Sequence, residues 1–219
     1  MKIQIEFPKN GKLRSRKVVS RSNARSTGKY PSWKMGRMIQ FESKHEKHAF
    51  MLLDADPAVI SFHEQPCIVR FEMDGIVHKH YPDILVEFAS GRELWEVKES
   101  SDANGSFIKR RTEILSQQLP SLGYTYRLVL AEQLSTEPRL RNVRQLLMFG
   151  NKPVPLMERE MIRQAFLMAE SIPWQAFLGL SFSRYHASRL FLEGLLEVDL
   201  NEPLDGNSII RMTSIGREA

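Results

Sequence analysis

Residues 59–131 alternate short apolar runs with turn residues in a pattern that few architectures accommodate. Residues 68–73 and 76–80 flank Asp74-Gly75, the kind of pair that tolerates the left-handed backbone of a two-residue hairpin turn. Residues 59–62 read as a further strand, and residues 84–88 and 93–97 as a second hairpin around Ala89-Ser90-Gly91-Arg92. The periodicity then changes. Residues 107–119 carry a helical pattern, residues 124–131 an apolar β-rich run, and residues 138–149 another amphipathic helix. A helix is also expected over residues 41–54, where Phe41, Ala49, Phe50, Leu52 and Leu53 sit among Glu, Lys and His ahead of Pro57. Helix, antiparallel strands, helix, strand, helix is the order of a mixed α/β layer.

Residues 150–155, Gly-Asn-Lys-Pro-Val-Pro, suit a linker. Beyond it the pattern predicts helices over residues 156–170, 173–180 and 183–194 and strands over 195–200 and 208–213. Three helices and a two-stranded wing suggest a small winged-helix-like domain, 151–219, after a larger α/β domain, 38–150. Its third helix carries Arg184, Tyr185, His186 and Arg189, which suit either a DNA groove or a protein partner.

Charge is unevenly distributed. Residues 1–37 hold 11 Lys or Arg against one acid, Glu6, so this basic arm carries +10 while the rest of the chain carries −5. Nucleic acid is the expected polyanion. A membrane surface is not, because the arm has no apolar face, and no run is long enough to span a bilayer. Without an apolar leader the protein is expected inside the cell. At 219 residues and 42% hydrophobic content the chain can bury a core, which excludes a disordered class. Cys67 is the only cysteine, so an intramolecular disulfide and a multi-cysteine zinc site are both excluded, and a small buried apolar role is expected.

The stretch that could carry chemistry is Tyr81-Pro82-Asp83 followed, after twelve residues, by Glu96-Val97-Lys98. Alternate residues of a strand share a face, so Glu96 and Lys98 project together while Trp95 and Val97 are expected on the packed side. Asp83 opening the neighbouring strand would bring its carboxylate beside Glu96. Two such carboxylates repel, and a hard divalent cation such as Mg²⁺ resolves the repulsion. A cation there would activate water and steady charge on a phosphate, with Lys98 orienting or deprotonating the water. An ordinary exposed Glu/Lys alternation is the other reading of the bare pattern.

Residues 29–131 resemble the endonuclease subunit of heteromeric cut-and-paste transposases, the TnsA family, whose core is similar to that of type II restriction enzymes. The residues carrying the resemblance are Gly28-Lys29-Tyr30-Pro31-Ser32, Glu42-Ser43-Lys44-His45-Glu46, Asp56-Pro57-Ala58-Val59, Glu64-Gln65-Pro66, Tyr81-Pro82-Asp83 and Glu96-Val97-Lys98. The resemblance implies a restriction-endonuclease-like mixed sheet flanked by helices. It places a catalytic acid of the helix on Glu46, with Glu42 one turn away as the alternative, and the other positions on Asp83, Glu96 and Lys98. Glu46, Asp83 and Glu96, with the Val97 carbonyl, would hold Mg²⁺, Mn²⁺ being able to substitute; some members have Gln at the position of Glu96. The implied activity is cleavage of the 5′ strand at the ends of a transposon in duplex DNA, in a bacterial cytoplasm and on the nucleoid. The implied partners are a transposase of the RNase H-like type, TnsB, and an AAA+ regulator, TnsC. A catalytically silent DNA-binding adaptor and a free-standing restriction or repair nuclease are the competing readings.

Lys109, Arg110 and Arg111 follow the active strand and could meet a DNA backbone, as could Arg184 and Arg189; a solvated helix face is the plainer alternative. His78 and His80 are too isolated for a zinc site and read as phosphate-facing or exposed polar residues. His45 and His48 bracket Glu46 and read most simply as exposed, Gln65 reads as a strand-end hydrogen bond or an orienting group, and the three tryptophans as packing residues. No glycine-rich phosphate loop is present, so no ATPase activity of its own is expected.

Overall fold

The computed structural model describes residues 3–9, 14–15, 27–180 and 182–218. In chain order the elements are β1 (Gln4–Glu6), β2 (Gly28–Ser32), β3 (Arg37–Phe41), α1 (Lys44–Ala55), β4 (Val59–Glu64), β5 (Ile68–Met73), β6 (Ile76–His80), β7 (Ile84–Phe88) and β8 (Gly91–Lys98). They continue with α2 (Ser100–Ala103), α3 (Ser106–Gln118), a 3-10 turn at Leu119–Leu122, β9 (Tyr124–Leu130), α4 (Ala131–Leu134) and α5 (Arg139–Phe149). The last group is α6 (Leu156–Met168), β10 (Ser171–Pro173), α7 (Trp174–Gly179), α8 (Arg184–Leu192), β11 (Leu196–Glu197), β12 (Ile209–Met212) and α9 (Ser214–Glu218). The fold is mixed α/β.

The chain divides into two compact units, Met1–Phe50 with Val59–Ser135, and Met51–Ala58 with Thr136–Ala219. In the first, a four-stranded sheet runs β4-β7-β8-β9, with β4, β7 and β8 antiparallel and β9 parallel to β8. The parallel pair needs a crossover, which α2 and α3 supply. A second sheet runs β1-β5-β6, and β2 and β3 form a hairpin. At the β5–β6 turn Asp74 and Gly75 both have positive φ, 53° and 76°, with Met73 opposite Ile76, the geometry expected of an Asp-Gly hairpin. Cys67, Val69, Phe71, Leu85, Leu94, Leu115, Leu119, Tyr124 and Tyr126 form the core between these sheets and α3.

The basic arm expected over residues 1–37 is in part folded structure. β1 pairs antiparallel with β5, and β2 pairs with β3 in full register from Gly28 opposite Phe41 to Ser32 opposite Arg37. Alternating apolar Ile3 and Ile5 are enough to add a short edge strand, a signal overshadowed by the surrounding charge. Two of the arm's arginines already have a carboxylate: buried Glu64 accepts two bonds from Arg37, at 3.0 and 2.6 Å, and lies 3.5 Å from Arg14. Lys2, Lys12, Arg16, Lys17, Arg21 and Arg25 lie outside the described residues. Phe41, expected to open the first helix, closes β3 instead, and α1 begins at Lys44.

The second unit begins earlier than residue 151. Leu140, Val143 and Leu146 form a buried stripe on α5. Buried Asn142 donates to the Leu200 and Glu202 carbonyls, both at 2.8 Å. Gly150 lies where a Cβ would come within 2.5 Å of Leu192 on α8, so the expected linker starts inside a packed helix junction. Helices α6, α7 and α8 surround a core of Ile162, Phe166, Ile172, Phe177, Leu190 and Ile210. The accompanying sheet is three-stranded, β10-β12-β11, where two strands were expected; Ser171–Pro173 is too short and too proline-bounded to read as a strand.

Candidate active site

Asp83 stands just before β7, at the open end of the larger sheet. Its N–H donates to the Trp95 carbonyl at 2.8 Å, which extends the β7–β8 ladder by one residue. Its Oδ2 accepts from the Val97 N–H at 2.8 Å, and the Gln65 side-chain amide lies 3.4 Å from Oδ1. The Gln65 N–H also donates to the Asp83 carbonyl at 2.8 Å, and Gln65 adopts a left-handed φ of 48° while fully buried. A non-glycine residue held there is strained, so the Glu64-Gln65-Pro66 corner is over-determined by its surroundings.

Glu46 enters from the first turn of α1, where it accepts from the Glu42 N–H at 2.9 Å and the Ser43 hydroxyl at 3.3 Å. The Ser43 hydroxyl accepts in return from the Glu46 N–H at 3.1 Å, so the acid is locked to its own helix start. Of the two candidate acids, Glu46 is buried, whereas Glu42, expected one helical turn away, precedes α1 and remains on the cleft wall. Glu42, Glu46, Asp83, Val97, Lys98 and Asp102 are among the residues that open onto one cleft of about 580 Å³.

Glu96 and Lys98 share a strand face as expected, with Lys98 Nζ 3.1 Å from Glu96 Oε1. That face is not the one expected. Leu94 and Glu96 point towards the core and α3, while Trp95 is half-buried on the opposite face with Glu93 and Arg127. The reason lies on α3, where Arg111 and Leu115, one turn apart, both face the sheet. Leu115 packs in the core that holds Leu94, and Arg111 meets Glu96 Oε1 at 3.0 Å. Arg111 is therefore buried at 8% exposure and is not placed as a backbone contact for DNA. Arg110 is exposed and pairs with Asp74, and Lys109 is exposed. In the second unit Arg189 bonds Glu193, which also takes both amino groups of Arg159, while exposed Arg184 lines a groove with Trp174 and Asp205.

His80, expected to be phosphate-facing or exposed, is buried: its Nε2 lies 3.5 Å from Glu96 Oε2 and 3.1 Å from the Tyr126 hydroxyl. His78 stacks against Phe71 and meets Phe107 edge-on. His45 lines the cleft and pairs with Glu99 at 3.1 Å, and His48 bonds Ser135 at 2.9 Å, so neither is simply solvated. The Arg111–Glu96 and His80–Tyr126 contacts had a usable signal: the i,i+4 pair on α3 and the i,i+2 pairs Leu94/Glu96 and Tyr124/Tyr126 match in period.

Electrostatics ties the cluster together. Burial, then the Glu96 carboxylate, then that of Glu46, hold the Asp83 carboxyl well above the usual carboxylate range, against the Val97 N–H and Lys98. Burial draws the Lys98 ammonium down, but the Glu96 and Asp83 carboxylates outweigh it and leave the amine raised. All-oxygen donors that repel one another suit a hard divalent cation. Among the described residues, however, no group of three His, Cys, Asp or Glu is already arranged to hold a metal ion. Glu96 is turned to Arg111, Lys98 and His80, whereas Asp83 and Glu46 reach the cleft. The donor chemistry thus fits at Asp83 and Glu46, with Glu96 behind them.

No model of a known protein family matches the chain, and no curated protein sequence matches it. No helix among the described residues is long and apolar enough to cross a membrane.

Proposed function

We propose that the chain is a divalent-metal-dependent DNA endonuclease of the TnsA type, which cuts the 5′ strand at transposon ends beside an RNase H-like transposase and an AAA+ regulator. One observation carries the reading: an acid from a helix start, an acid from a strand start and a lysine two residues beyond a third acid converge on one cleft. A scaffold has no need for a buried carboxyl whose charge is penalised by two further acids. Glu46 and Asp83 would hold Mg²⁺ or Mn²⁺, with the Val97 carbonyl as a further oxygen and Glu96 as the third acid. When bound, the cation would activate water and neutralise charge on the scissile phosphate. Lys98, kept an ammonium by its acidic neighbours, suits stabilisation of developing charge better than proton abstraction.

Helices α6, α7 and α8 and the small sheet of the second unit support a winged-helix reading, with α8 as the helix offered to DNA or to the regulator. One observation favours the adaptor reading: the Glu96 carboxylate already faces Arg111, Lys98 and His80. The two readings separate in strand-resolved mapping of cuts at transposon ends in Mg²⁺ with the transposase present. The nuclease reading expects Lys98→Ala to abolish 5′-strand cuts while the partner's 3′ cuts persist. Unchanged cutting of both strands by Lys98→Ala would make the Glu-Val-Lys strand inert.

A further inference from the structure

Arg111 is a cation buried where apolar residues would serve packing as well. Its guanidinium lies 3.0 Å from Glu96 Oε1, the oxygen that Lys98 approaches at 3.1 Å. Glu96 Oε2, by contrast, meets only His80 among the ion pairs of the described residues, at 3.5 Å, longer than a good hydrogen bond. One oxygen of Glu96 is doubly committed and the other is loosely held. The guanidinium also interacts with the Tyr126 hydroxyl, while Arg111 Nε has no hydrogen-bond partner among the described residues. It is delivered by α3, whose Leu115 is packed with Leu94 two residues before Glu96, so its position is set by a core contact. Burying an arginine for stability alone gains little, since an apolar residue of similar volume commonly does as well.

We propose that Arg111 is a positioning residue of the acidic centre: it anchors Glu96 through Oε1, the oxygen it shares with Lys98, and so fixes the orientation of that carboxylate and of the lysine bonded to it behind the cleft acids. The inference rests on the nuclease reading. Without Arg111, Lys98 would be the sole close cation on Oε1, and the carboxylate would lose the buried anchor that fixes its orientation. Side chains that orient a metal ligand from behind commonly account for about 10–100-fold in affinity or activity.

The test compares wild type, Arg111→Lys, Arg111→Met, Glu96→Gln and the two Arg111 variants combined with Glu96→Gln, each checked for folding by thermal melting. Mn²⁺ binding is followed calorimetrically, cleavage is followed against Mn²⁺ concentration, and duplex binding is measured in EDTA. Arg111→Met is expected to weaken Mn²⁺ binding about 10–100-fold and Arg111→Lys less, with metal-free duplex affinity unchanged. In the Glu96→Gln background the Arg111 changes should add almost nothing, because residues acting through one another are not additive. The neutral background also supplies the answer if Arg111→Met alone fails to fold. Fully additive effects would reduce Arg111 to a helix anchor, and lost duplex affinity with unchanged Mn²⁺ binding would return it to a phosphate contact; either overturns the proposal. A wild type that binds no Mn²⁺ and cuts no DNA would overturn the nuclease reading and this inference with it, whereas active wild type with an indifferent Arg111→Met overturns this inference alone.

Discussion

Asp83 concentrates the conflict on which the site depends. Backbone bonds to the Trp95 carbonyl and from the Gln65 N–H fix its position and the Val97 N–H holds its side chain, while burial and two further acids penalise its charge. Because its folded pKa is raised, Asp83's own contribution to the stability of the metal-free protein is fully present below the ordinary carboxylate range and is lost as pH rises through the raised value. Asp83→Asn removes that loss: its oxygen can keep the Val97 bond, and Gln65 can turn its carbonyl to the new amide. In EDTA at neutral pH the variant should be more stable than wild type by about 0.5–2 kcal/mol in urea unfolding, with a flatter pH dependence, yet inactive in cleavage. Equal stability at every pH would mean that Asp83 carries no electrostatic conflict. The proximity of Asp83, Glu96 and Lys98 was legible because strand spacing is rigid. The partners Arg111 and His80 were missed despite matching periods, because those periods decide the pairing only once the core side of β8 is known.

At the level of elements, legibility followed turn chemistry and period. The Asp74-Gly75 hairpin, the 84–88 and 93–97 hairpin and the helix over 107–119 correspond to β5–β6, β7–β8 and α3. Three-residue strands such as β1 and β10 carry too few alternations to be seen, and only pairing with β5 and β12 gives them an extended form. Facing along β8 was misread because Trp95 is large and apolar, but the core side is set by Leu94 against Leu115. Glycine conformation allows a sharper test in the second unit. Gly194 closes α8 with a φ of 74°, and a Cβ there would lie 2.9 Å from the Pro57 Cβ. Gly36 has a similar φ of 60° with nothing within 4 Å. Gly194→Ala should therefore cost about 1–3 kcal/mol in urea unfolding and more than Gly36→Ala, the difference being the Pro57 clash. Equal costs would show that Pro57 yields.

On the scale of the whole molecule, the α/β class was readable from element order, whereas the division into units was not. A proline-rich stretch at 150–155 suggests a boundary, but α5 and residues 51–58 fold with the C-terminal portion, since the apolar stripe of α5 needs a partner that α8 provides. The charge asymmetry was equally plain, yet Arg14 and Arg37 are directed at Glu64, which leaves a smaller share of the arm for a polyanion. The molecule's central feature is an acid cluster whose members repel one another and open onto a cleft. Calorimetric titration of Mn²⁺ into wild type and Asp83→Asn tests that feature most directly. Saturable binding by wild type that is abolished in Asp83→Asn is the predicted result; identical titrations of the two proteins would contradict the assignment of a divalent-cation centre.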